Sequence, residues 1–249
     1  ILNLISIIAS EGRIKIEFMN KTLILIPSRL AATRLPNKPL LKINNLSMIN
    51  HVYKKAKQSK VGEVYVATGD KEIFNDVKNN GGNCILTERD HASGTDRIFE
   101  ALQKINLKNV DYIINLQGDE PIIDIKDIIK LYNKTLQNNS EMSTLACKIS
   151  DDKIFNIENI VKVITDKELS NENSSKANDF SRKVLKNDYI NIYHHIGIYM
   201  YKSQILEKFV NFKQTENEIS QKLEQLRAID NNIQIDVNLA NSSPIGVDT

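Results

Sequence analysis

Residues 22–41, TLILIPSRLAATRLPNKPLL, set three cations, Arg29, Arg34 and Lys38, on the loop that follows an apolar run. Guanidinium forks suit phosphate oxygens because two parallel N–H donors reach one anion, and an ammonium adds a compact charge beside them. Pro36 and Pro39 bracket Lys38 and restrict its backbone. A solvated basic loop is the competing account. The glycine-rich G-x-x-x-x-G-K pattern does not occur in the chain. A second candidate is Gln117-Gly118-Asp119-Glu120-Pro121, which places two carboxylates directly after a predicted strand. Magnesium takes oxygen ligands, commonly one or two carboxylates plus substrate phosphates, so Asp119 could serve it. Asp119 could equally cap the next helix. Asp248, after Gly246-Val247, offers another carboxylate close to the end of the chain.

The loop 89–97, RDHASGTDR, has small residues at Ala92, Ser93 and Gly94 that would let backbone approach a planar base. A helix cap at Ser93 or Thr95 explains much of the same pattern. His194 and His195 are adjacent, so in a strand they face opposite sides and one points inward. His51 falls on a predicted helix, as packing or surface. Glu224, Gln225 and Arg227 interrupt an apolar helical pattern, which a salt-bridging exposed face would also explain. No His/Cys cluster has zinc spacing and no serine nucleophile elbow occurs.

These groups need a scaffold. From Thr22 the pattern alternates strand and helix, which predicts a parallel sheet covered on both faces. Strands are expected at 22–27, 63–68, 84–87, 111–116 and 143–149, with helices at 47–59, after Asp70 as its cap and ending at Gly81-Gly82, from about Gly94, and over 124–137. Beyond Ile149 the alternation breaks, and residues 150–215 read as an irregular lobe with a strand at 160–165, a mobile loop at 170–178 and a strand at 192–202. A helix over 216–230, with Ile219, Leu223 and Leu226 inward, and a strand at 233–237 follow. Ligands of open α/β sheets gather where strand carboxyl ends run into loops, which is where both candidate sites fall.

The 249 residues are enough for one domain with a lobe. With 33 basic and 31 acidic residues the net charge is +2, so no global field recruits nucleic acid or a membrane surface. No apolar run is long enough to span a bilayer. Cys84 and Cys147 lie in separate predicted strands, which suits reduced thiols in a reducing compartment. Residues 1–18 read as an N-terminal extension before a start at Met19. An extra edge strand or hairpin is the alternative, because Ile14 and Ile16 alternate with Lys15 and Glu17.

The stretches IPSRLAATRLPNKPL, TERDHASGTDR, NLQGDEP, HHIGIY, LEQLR and GVDT, in that order from about Lys21 to Thr249, closely resemble the 3-deoxy-manno-octulosonate (Kdo) cytidylyltransferase family. The resemblance implies a nucleotide-diphospho-sugar transferase fold: α/β, Rossmann-like, with a mostly parallel central sheet flanked by helices and a smaller irregular α+β dimerisation lobe. It implies a cytoplasmic, Mg2+-dependent homodimer that transfers CMP from CTP to Kdo for lipopolysaccharide biosynthesis. By resemblance Arg29, Arg34 and Lys38 would hold the CTP phosphates, Ser93, Gly94 and Arg97 would lie by the nucleotide, and Asp119 and Asp248 would bind magnesium. Arg29, Arg34, Lys38 and Asp119 would form the catalytic set. Gln117, His195, Tyr199, Glu224 and Gln225 match positions lining the sugar pocket. A related acidic sugar, 8-amino-Kdo or a sialic acid, and a non-catalytic nucleotide-binding homologue are the alternatives. Two departures stand out. Ser181-Arg182 is followed by KVLKND where the family has a small residue and an Ile-Pro pair, and the family continues past its VDT into a final helix, so residues 19–249 read as a single domain truncated at its C-terminus.

Overall fold

The computed structural model describes residues 6–10, 13–17, 21–31, 35–105, 107–184 and 190–242. Arg34, Asp248 and the start expected at Met19 lie outside the described residues. Residues Ser6–Ser10 (β1) and Arg13–Glu17 (β2) pair with each other as an antiparallel hairpin, as the alternative reading of the extension has it.

Strand β3 (Thr22–Ser28) is buried along its whole length, and Leu23, Ile24, Leu25 and Ile26 are fully excluded from water. An unalternating apolar run can sit only where both sheet faces are covered, and each such side chain contributes about 1.5–3 kcal/mol of burial. β3 pairs in parallel with β6 (Glu63–Thr68) on one side and with β8 (Tyr112–Asn115) on the other, and β6 pairs in parallel with β7 (Cys84–Leu86). Helices α1 (Met48–Ser59), α2 (Lys71–Asn79), α3 (Gly94–Lys104) and α4 (Ile125–Asn138) connect these strands and bury their apolar stripes on the sheet. A two-residue turn at Asn44-Asn45, both with positive φ, joins β4 (Lys42–Ile43) to β5 (Leu46–Ser47) ahead of α1.

Among the described residues the main sheet has nine strands, in the order β10 (Lys162–Thr165), β11 (Ser175–Ser181), β13 (Ile235–Leu239), β9 (Met142–Lys148), β12 (Ile192–Lys202), β8, β3, β6 and β7. Strand β12 (Ile192–Lys202) enters antiparallel between β8 and β9 (Met142–Lys148), and β13 (Ile235–Leu239) lies parallel on the far side of β9. Only β11 (Ser175–Ser181) and β12 oppose the common direction, so the sheet is mostly parallel in direction although mixed in pairing. Strand β10 (Lys162–Thr165) pairs with both β11 and the start of β12, so β10, β11, β13, β9 and β12 close into a ring. The irregular segment from 150 therefore extends the central sheet through its strands.

Three local expectations change. Residues 175–178, the end of the expected loop, join residues 179–181 in strand β11, whose only buried apolar side chains are Ala177 and Phe180 and whose other positions are polar. Helix α5 (Ser203–Asn211) was not anticipated, although Ile205, Leu206 and Phe209 repeat at helical spacing, because it follows β12 with no breaker between them. The helix expected over 216–230 is two short ones, α6 (Glu216–Gln221) and α7 (Leu226–Asp230), separated at Lys222, whose φ is 54°. The break leaves Ile219 59% exposed while Leu223 and Leu226 stay buried.

Across this break the buried Arg227 guanidinium donates to both Glu218 carboxylate oxygens, at 2.7 and 2.5 Å, and lies over the Phe209 ring. Burial by itself would raise the Glu218 carboxyl, but hydrogen bonds from Arg227 and Gln214 outweigh it and hold the pKa below its ordinary value. A carboxyl with a depressed folded pKa stabilises in full above its unfolded value near ~4.3, and the contribution is lost as pH falls through the folded value. Arg227→Ala strands a buried carboxylate and is expected to cost about 3–5 kcal/mol in denaturant unfolding at pH 7. The wild type should lose stability relative to Glu218→Gln as pH drops below that unfolded value; parallel pH profiles for the two would contradict the assignment.

Candidate active site

Strands β3 and β8 are paired through Leu25↔Asn115, and beyond that register the chain leaves each strand at the same sheet edge. From β3 the chain goes on through β6 to β7 on one side, whereas β8 lies on the other, so the order reverses between β3 and β8. Loops diverging at such a reversal leave a crevice. A cavity of about 450 Å³ occupies it, lined by the basic loop after β3, the segment before α3 and the Gln117–Asp119 turn after β8.

Arg29 is exposed on the cavity wall. Lys38 begins a short 3-10 helix, Lys38–Leu40, whose Pro39 and preceding left-handed Asn37 hold the turn. The amide of Leu41 donates to Lys38 O and that of Met48 to Leu41 O, which ties the loop to the start of α1. Lys38 is buried, and its Nζ reaches across the cavity to Asp119 Oδ2 at 3.1 Å. The two candidate groups, 81 residues apart, therefore meet. Asp119 caps no helix; Asp124 does so, accepting from the Lys126 amide at α4. Gly118 makes this approach possible, since a Cβ there would stand 2.9 Å from Pro27 O and 3.3 Å from Ile49 Cδ1.

On the opposite wall stand His91, Ala92, Ser93 and Gly94. Ser93 caps α3 through the Asp96 amide, so its expected cap role and its place at the cavity coexist. Arg97 lines the cavity but is 3% exposed, and its guanidinium donates to Thr87 Oγ1, Glu88 O and Arg89 O at 2.7–2.9 Å. Its donors fasten the loop. Glu100 completes the clamp, accepting from the Glu88 amide and lying 2.6 Å from His91 Nε2. No motif marks His91 and Glu100 in the sequence; their only signal is a histidine in a small-residue loop nine positions before a carboxylate on the helix it enters.

Of the sugar-pocket positions, Gln117 lines the same cavity, and its Cγ lies 3.6 Å from where a Cβ on Gly197 of β12 would be. The other four are not among the residues that line it. His195 is the inward member of its pair, buried beside Phe180 and Tyr199, with Thr144 Oγ1 3.1 Å from its Nε2. Burial, aided by the neighbouring His194, pushes the His195 pKa down to about 3, so the ring is neutral near pH 7. Tyr199 is buried, its hydroxyl has no hydrogen-bond partner, and burial drives its pKa well up. Glu224 follows the break after α6 and accepts from Thr95 Oγ1 at 2.8 Å, joining this region to α3. Burial raises its carboxyl against the pull of Ser93, Thr95 and Arg227. Gln225 is buried beside it.

No helix among the described residues is long and apolar enough to cross a membrane. Nor does any cluster of three or more His, Cys, Asp or Glu side chains among them form a metal cage.

A mostly parallel sheet with a cationic loop and a carboxylate at its reversal point is suited to a nucleotide, and a cytidylyltransferase family model that matches residues 23–235 makes the class that of a nucleotidyltransferase. The relatives narrow the class. The chain is 40% identical over 228 residues to the 3-deoxy-manno-octulosonate cytidylyltransferase of Bartonella tribocorum, covering 91% of this chain and 93% of that one. It is 41% identical over 231 residues to the same enzyme of Brucella anthropi, covering 92% of each. The protein belongs to the 3-deoxy-manno-octulosonate cytidylyltransferase family. The solved structure of CMP:2-keto-3-deoxy-manno-octonic acid synthetase complexed with CTP superposes with a TM-score of 0.83 at 34% identity, over 92% of this chain and 94% of that one. A UDP-glucose pyrophosphorylase, at 14% identity and a TM-score of 0.66 over 91% of this chain and 92% of that one, shares the fold.

Because three acceptors on residues 87–89 converge on one planar fork, Arg97→Lys should keep the charge yet lose most of those bonds. A loss of about 2–3 kcal/mol in denaturant unfolding is expected; an unchanged midpoint would contradict the clamp.

Proposed function

We infer that the protein transfers CMP from CTP to Kdo, giving CMP-Kdo and pyrophosphate, an activation step for lipopolysaccharide biosynthesis. One observation carries this reading: the cationic loop and Asp119 face one cavity in a fold that superposes on a relative complexed with CTP. The sugar's anomeric hydroxyl gives up its proton to solvent as its oxygen attacks the α-phosphorus, the bond between that phosphorus and the bridging oxygen to the β-phosphate breaks, and pyrophosphate leaves with that oxygen. Such transfers depend on positioning and charge neutralisation more than on covalent help from the protein.

Arg29 and Lys38, with Arg34, bind the triphosphate and stabilise the charge that develops on departing pyrophosphate. The small residues Ser93 and Gly94 give the nucleoside backbone-close contact, and Arg97 supports that wall by holding its loop. Gln117, His195, Tyr199, Glu224 and Gln225 are assigned to the sugar side. A neutral His195 and the unpartnered Tyr199 hydroxyl are suited to hydrogen bonds with an uncharged, hydroxyl-rich face.

The donors at Asp119 are carboxylate oxygens half open to the cavity, which fits magnesium completed by substrate phosphates. Asp119, with Asp248, would hold the ion, which when bound supplies charge neutralisation and lowers the pKa of a coordinated hydroxyl. In the free protein Lys38 keeps the Asp119 charge compensated; the triphosphate then draws the ammonium toward its own oxygens. The buried Cys84 and Cys147, neither of them in a disulfide, suit a cytoplasmic setting. The exposed Ile157 and Ile190, on the segment from 150 to 215, suit a homodimer contact there.

Pyrophosphate release should require CTP and Kdo together, with little response to 8-amino-Kdo, a sialic acid or no sugar. CTP binding without sugar-dependent release would favour a non-catalytic homologue. Asp119→Asn is expected to lower kcat on the order of a hundredfold or more while the thermal midpoint holds, and Lys38→Ala to raise the KM for CTP about tenfold or more. Full activity of Asp119→Asn with magnesium would remove the metal assignment. Light scattering should return twice the chain mass; a monomeric mass would remove the dimer.

A further inference from the structure

Asp70 occupies the position preceding α2 that a capping residue would fill, yet its side chain makes no cap hydrogen bond. Its carboxylate turns the other way. Oδ2 accepts from the Leu30 amide at 2.8 Å, 40 residues back along the chain, and the group is buried. The register explains the meeting: β3 and β6 run in parallel through Ser28↔Thr68, so the residues that leave the two strands emerge side by side. The Asp70 amide donates to Thr68 Oγ1 at 3.1 Å, which fixes the aspartate where β6 ends.

The same corner faces the other wall of the cavity. Gly69 is packed so tightly that a Cβ there would lie 2.6 Å from Arg89 Cα and 2.7 Å from Glu88 O. Thr87 donates its amide to Thr68 O at 2.8 Å. Burial lowers the Arg97 pKa, and the charge of Asp70 is the foremost influence opposing it, while Arg29 adds to the lowering. One buried carboxylate therefore lies in contact with the basic loop and within the field of the arginine that clamps the opposite loop.

We propose that Asp70 is a positioning residue for nucleotide binding, holding the Leu30 amide so that Arg29 is presented to the triphosphate. This rests on the reading of the basic loop as the phosphate grip. Leu30 lies between Arg29 and Ala31, both of which line the cavity. Releasing its amide frees the backbone on which the Arg29 fork is mounted, and a fork that must find its geometry at each encounter loses more entropy on binding.

The test compares Asp70→Ala, Asp70→Asn and Arg29→Ala, alone and with Asp70→Ala, in the full chain. Asp70→Ala should speed hydrogen exchange of the Leu30 amide about tenfold or more and raise the KM for CTP about tenfold, with the KM for Kdo unchanged. Asp70→Asn keeps an acceptor oxygen for that amide and should restore most of both effects. In the Arg29→Ala background Asp70→Ala should add little to the KM for CTP, the non-additivity expected of residues acting as one unit. Unchanged Leu30 exchange in Asp70→Ala would overturn the proposal, as would faster exchange with an unmoved KM for CTP when Arg29→Ala raises it. If Arg29→Ala itself leaves the KM for CTP unmoved, the phosphate reading of the loop fails, and the exchange data alone then report on the Asp70 anchor.

Discussion

The parallel pairing of β3 with β8 is the constraint on which the site depends. Both strands are buried on both faces, so neither can shift its register without moving a solid apolar core. Their carboxyl ends are thereby held about one strand spacing apart, near 4.8 Å. The chain leaves one end as a cationic loop and the other as a carboxylate turn, and Lys38 and Asp119 are within 3.1 Å as a consequence.

Around that point the protein uses buried polar contacts as fasteners between loops that have few apolar side chains of their own. Asp70 fastens the basic loop, Arg97 and Glu100 fasten residues 87–91, and Thr95 reaches Glu224 after the break between α6 and α7. The Glu218–Arg227 pair holds that break in place from below. Such contacts stabilise modestly in net terms, but removing one partner leaves the other desolvated, so each enforces one geometry. Arg97 illustrates the division of labour. It lines the cavity, yet three of its donors hold residues 87–89.

The central strands and helices were legible because periodicity reports burial directly. The run at 22–26 has no solvent face, α1 repeats its buried side chains at helical spacing, and Asp124 and Ser93 begin helices with local cap bonds. Where burial is supplied by distant partners, the pattern was silent. Strand β11 looks like a loop because six of its seven residues are neither aromatic nor branched aliphatic, and β10 and β13 make it a strand. The break at Lys222 has no glycine or proline to announce it; a lysine with positive φ is accepted there because Glu218 before it and Leu223 and Arg227 after it are buried.

The sequence by itself determined which residue types could do chemistry and on which loops they sit, since Arg29, Lys38, Ser93, Gln117 and Asp119 all follow strands that hydrophobic pattern alone identifies. Motif order added the family. Only the tertiary structure decided which of these groups face one another and which are consumed in holding the frame. Partner choice among polar groups depends on distances across 40 to 129 residues of chain, as for Asp70 with Leu30 and Thr95 with Glu224. Hydrogen bonds and charges act over a few ångströms, and no local pattern encodes which distant segment the core will bring that close.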